Sequence, residues 1–349
     1  MASSQSIRAG SAYIELYVNN SQLVRGLKQA SAKLKSFSSG LTTLGTKMMG
    51  LSAMMSAPFV AGIKAFADFE NQLATVSTML DEPEKHLESF KNGIRSMSVE
   101  FGESTETLAK GLYDILSASI APEDALNVLA VSARAAKAGL TDTGTAADAI
   151  TTILNSYGLS AGNAADVSDG LFTIVKRGKL TFSELAPKIG QVASIAASSG
   201  LSLDEMGAAL ATMTRSGVKT DAAVTSLTAI IASFLKPSEQ AAEYAKELGF
   251  NMNAATLKSE GLQGVFKRIA SLPPDAVSKL FPNIAAVKGL MPALQNMSGF
   301  ADDLDAMAGR SGATGDAYKK MTATLSHSFN QLKQSAINAF SIIGEALAP

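Results

Sequence analysis

Apolar positions form two long periodic runs near the ends of this 349-residue chain and shorter runs between them. Leu23, Leu27, Ala30, Leu34, Phe37, Leu41, Leu44, Met48, Leu51 and Met55 follow one another alternately four and three residues apart. That spacing is a heptad seam and predicts a long helix that buries one stripe against a partner. Leu325, Phe329, Leu332, Ala336, Ala339 and Ile343 repeat the spacing toward the other end and predict a second such helix. The positions flanking the first seam are mostly small, among them Gly26, Ser31, Ser38, Gly40, Gly45 and Ser52. Small flanks allow close approach but remove the charge pairs that usually select a partner. Each glycine costs roughly 1 kcal/mol relative to alanine inside a helix, so this helix is expected to form against partners. Pro58 ends or kinks it.

One stretch reads differently. Ala12 to Val18 is rich in β-branched and aromatic residues and ends at Asn19-Asn20, which predicts a short strand and turn. A lone strand needs a partner, in another copy or another protein.

Between about Phe69 and Arg310 the pattern is a series of short amphipathic helices with regular stops. Gly139-Leu140-Thr141, Gly158-Leu159-Ser160 and Gly200-Leu201-Ser202 repeat one corner signal, and Gly178-Lys179-Leu180-Thr181 is a variant. In this reading the glycine takes a left-handed C-cap and the Ser or Thr caps the next helix. Thr181 with Glu184, and Ser202 with Glu205, have the spacing of full capping boxes. Val224, Leu227, Ile230, Ile231, Phe234 and Leu235 form one apolar face, closed by Lys236-Pro237. Ile284, Val287, Leu290, Met291 and Leu294 form another, and Leu272-Pro273-Pro274 and Phe281-Pro282 read as corners.

The expected fold is all-α. It has a short N-terminal strand, a long heptad helix, a central domain of stacked antiparallel hairpins and a C-terminal heptad helix. The expected parts are a basic arm over residues 1–67, a compact helical core over 68–310, and a glycine hinge with a coiled-coil-like helix over 311–349. The sequence stops within that last heptad, which reads as a helix interrupted before its end.

Charge refines this picture. Lys and Arg number 30 and Asp and Glu 31, a balance that excludes a generally basic nucleic-acid binder. Within that balance, residues 1–67 hold seven basic residues and one acid, and residues 68–106 hold nine acids and three bases. These are two solvated faces, or a basic arm that seeks an acidic surface. There is no Cys, which removes disulfides, thiolate zinc sites and cysteine nucleophiles. The two histidines, His86 and His327, are far apart in the chain, so neither a triad nor a histidine metal pair is indicated. No phosphate loop, zincin or nucleophile-elbow motif occurs. Asp302-Asp303-Leu304-Asp305 lacks the glycine turn and distal Glu of a calcium loop and reads as a solvated face. Lys176-Arg177-Gly178-Lys179 reads as basic residues at a helix C-terminus, favoured there by the dipole. No catalytic, cofactor-binding or metal residue is therefore assigned. The candidate site residues are the seam positions Leu23, Leu27, Leu34, Phe37, Leu41, Leu44, Leu325, Phe329, Leu332 and Ile343, as an oligomer or partner interface.

Several segments carry a family resemblance. Ile14-Glu15-Leu16 with the leucine repeats after it, Pro58 to Ile63, and Phe66 to Leu73 look like the start of phage tail tape measure proteins. Ala133 to Asp142, Ile150 to Leu159 and Phe182 to Ala186 are similar to the core region of that family. Leu325 to Pro349 resembles its exit into later helices. The resemblance implies a structural, non-enzymatic protein of the tail interior of long-tailed phages or prophages, made in the bacterial cytoplasm. It implies tail-length setting, nucleation of tail tube assembly and help for DNA crossing the host envelope and membrane. The implied partners are copies of itself, as a trimer or hexamer, the tail tube protein, tail assembly chaperones and tail-tip proteins, with no sequence-specific nucleic acid and no cofactor. Family members usually run longer: 349 residues reach at most roughly 520 Å as one helix. A second reading stays open. Met48 to Ile63, 16 residues between two lysines, is an apolar stretch through which a membrane-active helical protein would insert, although about 20 residues are needed to span a bilayer.

Overall fold

The computed structural model describes residues 52–139 and 141–347, and all of their regular structure is helical. The strand expected at Ala12 to Val18 and most of the first heptad seam lie outside these residues. The seventeen described α-helices begin with α1 (Ser52–Ser77), α2 (Pro83–Phe101), α3 (Thr105–Ser117), α4 (Pro122–Gly139) and α5 (Thr143–Tyr157). A 3-10 turn at Ala161–Asn163 leads into α6 (Ala164–Arg177), α7 (Phe182–Leu185), α8 (Ile189–Ser198), α9 (Leu203–Arg215) and α10 (Thr220–Leu235). Then come α11 (Glu239–Glu247), α12 (Ala254–Ala270), α13 (Pro274–Leu280), α14 (Ile284–Gln295), α15 (Met297–Ala308), α16 (Ala313–Thr322) and α17 (Leu325–Leu347).

The stops follow from local chemistry. The Thr181–Glu184 and Ser202–Glu205 capping boxes are both formed, with side chain and backbone bonded in each direction. Gly158 and Gly200 adopt left-handed backbone at φ 61° and 80°, as their corner signals predict. Gly178 does not. Its φ of −85° and ψ of 177° are extended, and it is small for another reason: a Cβ there would lie 2.6 Å from the Thr214 hydroxyl. Gly139 is not itself left-handed either, and a Cβ there would meet the Phe182 ring at 2.9 Å. At the same corner the cap of α5 is Asp142, not Thr141, and its carboxylate accepts from the Thr145 N–H at 2.9 Å. The corner pattern marks the stops correctly but mixes two roles for glycine, conformational freedom and close approach.

From Phe59 onward the chain forms one compact unit. Its core is built around α5, α9 and α10. Ile150, Ile153, Leu210, Met213, Leu227, Ile230 and Phe234 are fully buried there. Sequence neighbours pair, as in α4 with α5 and α9 with α10. Distant helices pair as closely: α14 lies on α10, α15 on α9, and α16 on α4. At the α10–α14 contact Gly289 sits against Ser226, where a Cβ would collide. The apolar face expected on α14 is only partly inside. Leu290 is buried, but Ile284 is 70% exposed.

No helix among the described residues is long and apolar enough to cross a membrane. The side chains of Met48 to Gly62 lie outside the described set, so only the last residue of the proposed apolar agent, Ile63, is seen, and it is 44% exposed.

Candidate interaction surface

The last helix is turned around relative to the usual amphipathic arrangement. α17 lies on α2, yet the side it presents to α2 is polar. Gln334, Asn338 and Ser341 are buried there, with Gln331 and Glu345 continuing the stripe at the same alternating spacing. The Gln331 amide donates to the Glu100 carbonyl at 2.8 Å, and the Asn338 amide donates to the Arg95 carbonyl at 3.0 Å. The Arg95 guanidinium donates to Glu345 at 2.9 Å, and Lys91 pairs with the same carboxylate. Arg95 also lies over the Phe69 ring of α1, 5.1 Å from its centroid.

The heptad seam faces the other way. Leu325 is 74% exposed, Phe329 62%, Leu332 51% and Ile343 44%. Ala336 and Ala339 between them are exposed as well. At 3.6 residues per turn, the seam and the polar stripe are centred roughly 160° apart on the helix. A surface helix normally turns its apolar stripe to the core, because that burial drives its docking. Here hydrogen bonds and ion pairs hold the helix, and its open side carries the seam together with the exposed Ile337, Phe340 and Ile342. Thus Leu325, Phe329, Leu332 and Ile343 of the predicted interface share one open face. Leu23, Leu27, Leu34, Phe37, Leu41 and Leu44 lie outside the described residues.

The carboxyl of Glu345 is held below the ordinary glutamate range. The hydrogen bond from Lys91 is the main cause, partial burial opposes it, and Arg95 adds to it. A depressed pKa in the folded state means that the contact contributes fully at pH values above the ordinary range of ~4.3 and is lost as pH falls through the depressed value. Hydrogen exchange measured along α17 should therefore show slow amides over residues 338–346 at neutral pH. It should show faster exchange there in Glu345→Gln, with wild type approaching the variant only in strong acid. Equal protection in both proteins at neutral pH would remove the ion pair from the account.

The groups that looked most like chemistry are taken up by packing. Asp303, expected in a solvated face, is completely buried. Its Oδ1 accepts from Arg177 Nε at 2.8 Å and from Arg215 Nη1 at 2.7 Å, and its Oδ2 accepts from the Thr212 hydroxyl at 2.7 Å. Arg177, read as a helix-end charge, is thus half of a buried clamp joining α6, α9 and α15. Asp204 pairs with Arg310, which also holds Asp166 at 2.6 Å. Asp169 accepts from the Gly312 and Thr314 N–H groups at 2.7 and 2.8 Å, so the glycine-rich entry to α16 is tied to α6. Among the described residues no cluster of metal-ligating side chains occurs. His86 stacks on Phe90 at 5.9 Å between centroids. His327 lines a shallow, open pocket of about 360 Å³ with Lys137, Thr141 and Asn330, and burial first, then Lys137, lowers its pKa. His86 also lies 3.9 Å from Glu123 Oε1.

Fold and surface together define an all-helical protein with an exposed apolar face on its last described helix. The chain belongs to the family of phage-related minor tail proteins, whose family model matches residues 91–295. Among curated proteins it is 26% identical over 304 residues to a probable tape measure protein of Clostridium phage phiCD119, covering 83% of this chain and 32% of that one. It is 26% identical over 239 residues to the tape measure protein of Pneumococcus phage Dp-1, covering 67% of this chain and 20% of the other. The chain therefore spans about a third or less of the length of these relatives. No solved structure matches it. The family match covers α3 to α14, and α17 lies beyond it.

Proposed function

We propose that this chain is a structural component of a phage tail and serves as the core part of a tape measure protein. In this reading it acts within the tail interior, helps to nucleate tube assembly and contributes to tail length. Its compact helical unit is the partner-binding body, and the two heptad seams join it to copies of itself and to other tail proteins. Tube protein, assembly chaperones and tip proteins are the partner classes the reading requires. Passage of DNA into the host is a later role of the same assembly.

The observation that carries the reading is the outward seam of α17. A helix that turns Leu325, Phe329 and Leu332 to water and its polar stripe inward suits a part that docks in a larger assembly. The test is made in a phage that encodes this chain. Leu325, Phe329, Leu332 and Ile343 are changed together to Gln or Ser, and tails are counted and measured by electron microscopy. The expected result is loss of tails, or tails of irregular length, while the purified variant keeps its helical circular-dichroism spectrum. Normal tails of normal length from such a variant would overturn the reading.

A further inference from the structure

The docking of α17 is not secured by apolar burial. Every apolar side chain described on it is exposed, from Leu325 to Ala346. Its buried positions are Gln334, Asn338, Ser341 and Gly344. Among the described residues α2 is the one helix that it lies along. A helix in a folded protein gains most of its stability by packing an apolar face, and that gain is missing here. What holds α17 is a short set of polar ties: Gln331 and Asn338 to carbonyls of α2, and Glu345 to Lys91 and Arg95. The ties are also incomplete. Arg95 reaches both Glu345 and Ser341 through Nη2, and its buried Nε has no partner. Lys91 lies 3.5 Å from Glu88, which keeps the ammonium paired when Glu345 leaves.

α16, just before it, is held differently. It lies along both α4 and α6. Asp169 accepts from its Gly312 and Thr314 N–H groups, and the buried Ser168 and Thr314 hydroxyls are 3.0 Å apart. Tyr318 meets the Phe101 ring edge-on, with centroids 5.8 Å apart. Between the two helices Ala323 leaves helical backbone at φ −72° and ψ 42°. From this contrast we infer that α17 is a detachable strap. It lifts from α2 as one unit, turning about Ala323 and Thr324, while α16 stays on the body as its root. Lifting gives up no apolar burial of its own side chains. It frees the Lys91 and Arg95 cations from Glu345 and opens the polar stripe of α17 beside the apolar one. The motion requires neither a partner on the exposed face nor the tail assembly.

The test is hydrogen exchange along the full chain at neutral pH, in rising urea kept below the main unfolding transition. Wild type is compared with Glu345→Gln and Asn338→Ala. In wild type the amides of residues 329–346 should reach one common opening. It should be more frequent than that of α9 and α10 and depend less on urea, because it exposes less surface. The amides of α16 should keep the slower opening of the body. Each variant removes one tie, and Glu345→Gln should make the common opening about tenfold more frequent, the worth of one charged hydrogen bond. Asn338→Ala should act in the same direction, and α9, α10 and α16 should be unchanged in both. Exchange of α17 only together with α9 and α10 would overturn the strap. So would exchange that spreads from one end residue by residue with no common opening, which is fraying. Exchange of α16 at the rate of α17 would overturn the hinge at Ala323. An unchanged opening in both variants would overturn the polar ties as what holds the strap down.

Discussion

Asp303→Ala should destabilise the helical unit by roughly 3 kcal/mol in urea denaturation followed by circular dichroism. Asp303 is fully buried, and its two oxygens take three hydrogen bonds. Removing it leaves Arg177 and Arg215 without their shared anion and Thr212 without its acceptor. Breaking a buried pair from one side costs about 3–5 kcal/mol, because the remaining charge is left desolvated. Both guanidiniums are about a third exposed, at 34% and 33%, so water recovers part of that, and the lower end is expected. The loss comes from orphaned cations and not from a missing attraction alone. A triple variant with Asp303→Leu, Arg177→Met and Arg215→Met should therefore be more stable than Asp303→Ala. A cost below about 1 kcal/mol for the single change would show that the clamp joining α6, α9 and α15 adds nothing to their packing.

Gly261→Ala should cost at least as much, for a backbone reason. Within α12 this residue has φ 64° and ψ 179°, a region open essentially to glycine alone, and the helical run breaks there into two segments. The second segment starts with Leu262, whose N–H donates to Glu205 Oε1 at 2.8 Å. The other oxygen of Glu205 accepts from the Ser202 N–H at 3.2 Å, so one carboxylate caps two helices. A Cβ at position 261 would fall on Glu205 Oε1. The strain is about 1–3 kcal/mol, and displacing Glu205 from Leu262 adds about 1–3 for an unsatisfied donor. Gly217→Ala is the matched control. Its φ is 97°, but nothing lies within 4 Å of the added Cβ, so only the backbone strain applies. Equal losses in the two variants would remove Glu205 from the explanation.

These two sites mark where reading the chain residue by residue succeeds and where it stops. The Ser202–Glu205 capping box is legible because both partners sit within four residues and answer to one local need, the unpaired N–H groups of a helix start. The second duty of Glu205, toward Leu262, is 57 residues away and has no local signature. Asp303 is harder still. Asp302-Asp303-Leu304-Asp305 looks like a solvated run, and only the meeting of α6, α9 and α15 brings two arginines over one of its members. Gly178 and Gly139 looked like C-caps for the same reason: a requirement for no side chain, imposed by Thr214 or Phe182 from elsewhere in the fold, reads in sequence like a requirement for left-handed backbone.

The candidate surface was half legible. The seam spacing names Leu325, Phe329, Leu332 and Ile343 as one stripe, since period alone decides which side chains share a helix face. The opposing stripe of Gln331, Gln334, Asn338, Ser341 and Glu345 has the same period and stands in the same sequence. Its inward orientation has no local signature, because polar residues are expected to face water. Which stripe would turn inward depends on what α2 offers: the Lys91 and Arg95 cations, which match a carboxylate and would be left unpaired against leucine, and the carbonyls of Arg95 and Glu100, which accept from amides. By itself, then, the sequence determined the helices, their capping boxes and the makeup of each face, because these depend on contacts within a few residues. The tertiary structure alone decided which face is buried, which charges are paired out of water and which apolar stripe remains open. Those outcomes depend on partners that the chain supplies from tens to hundreds of residues away.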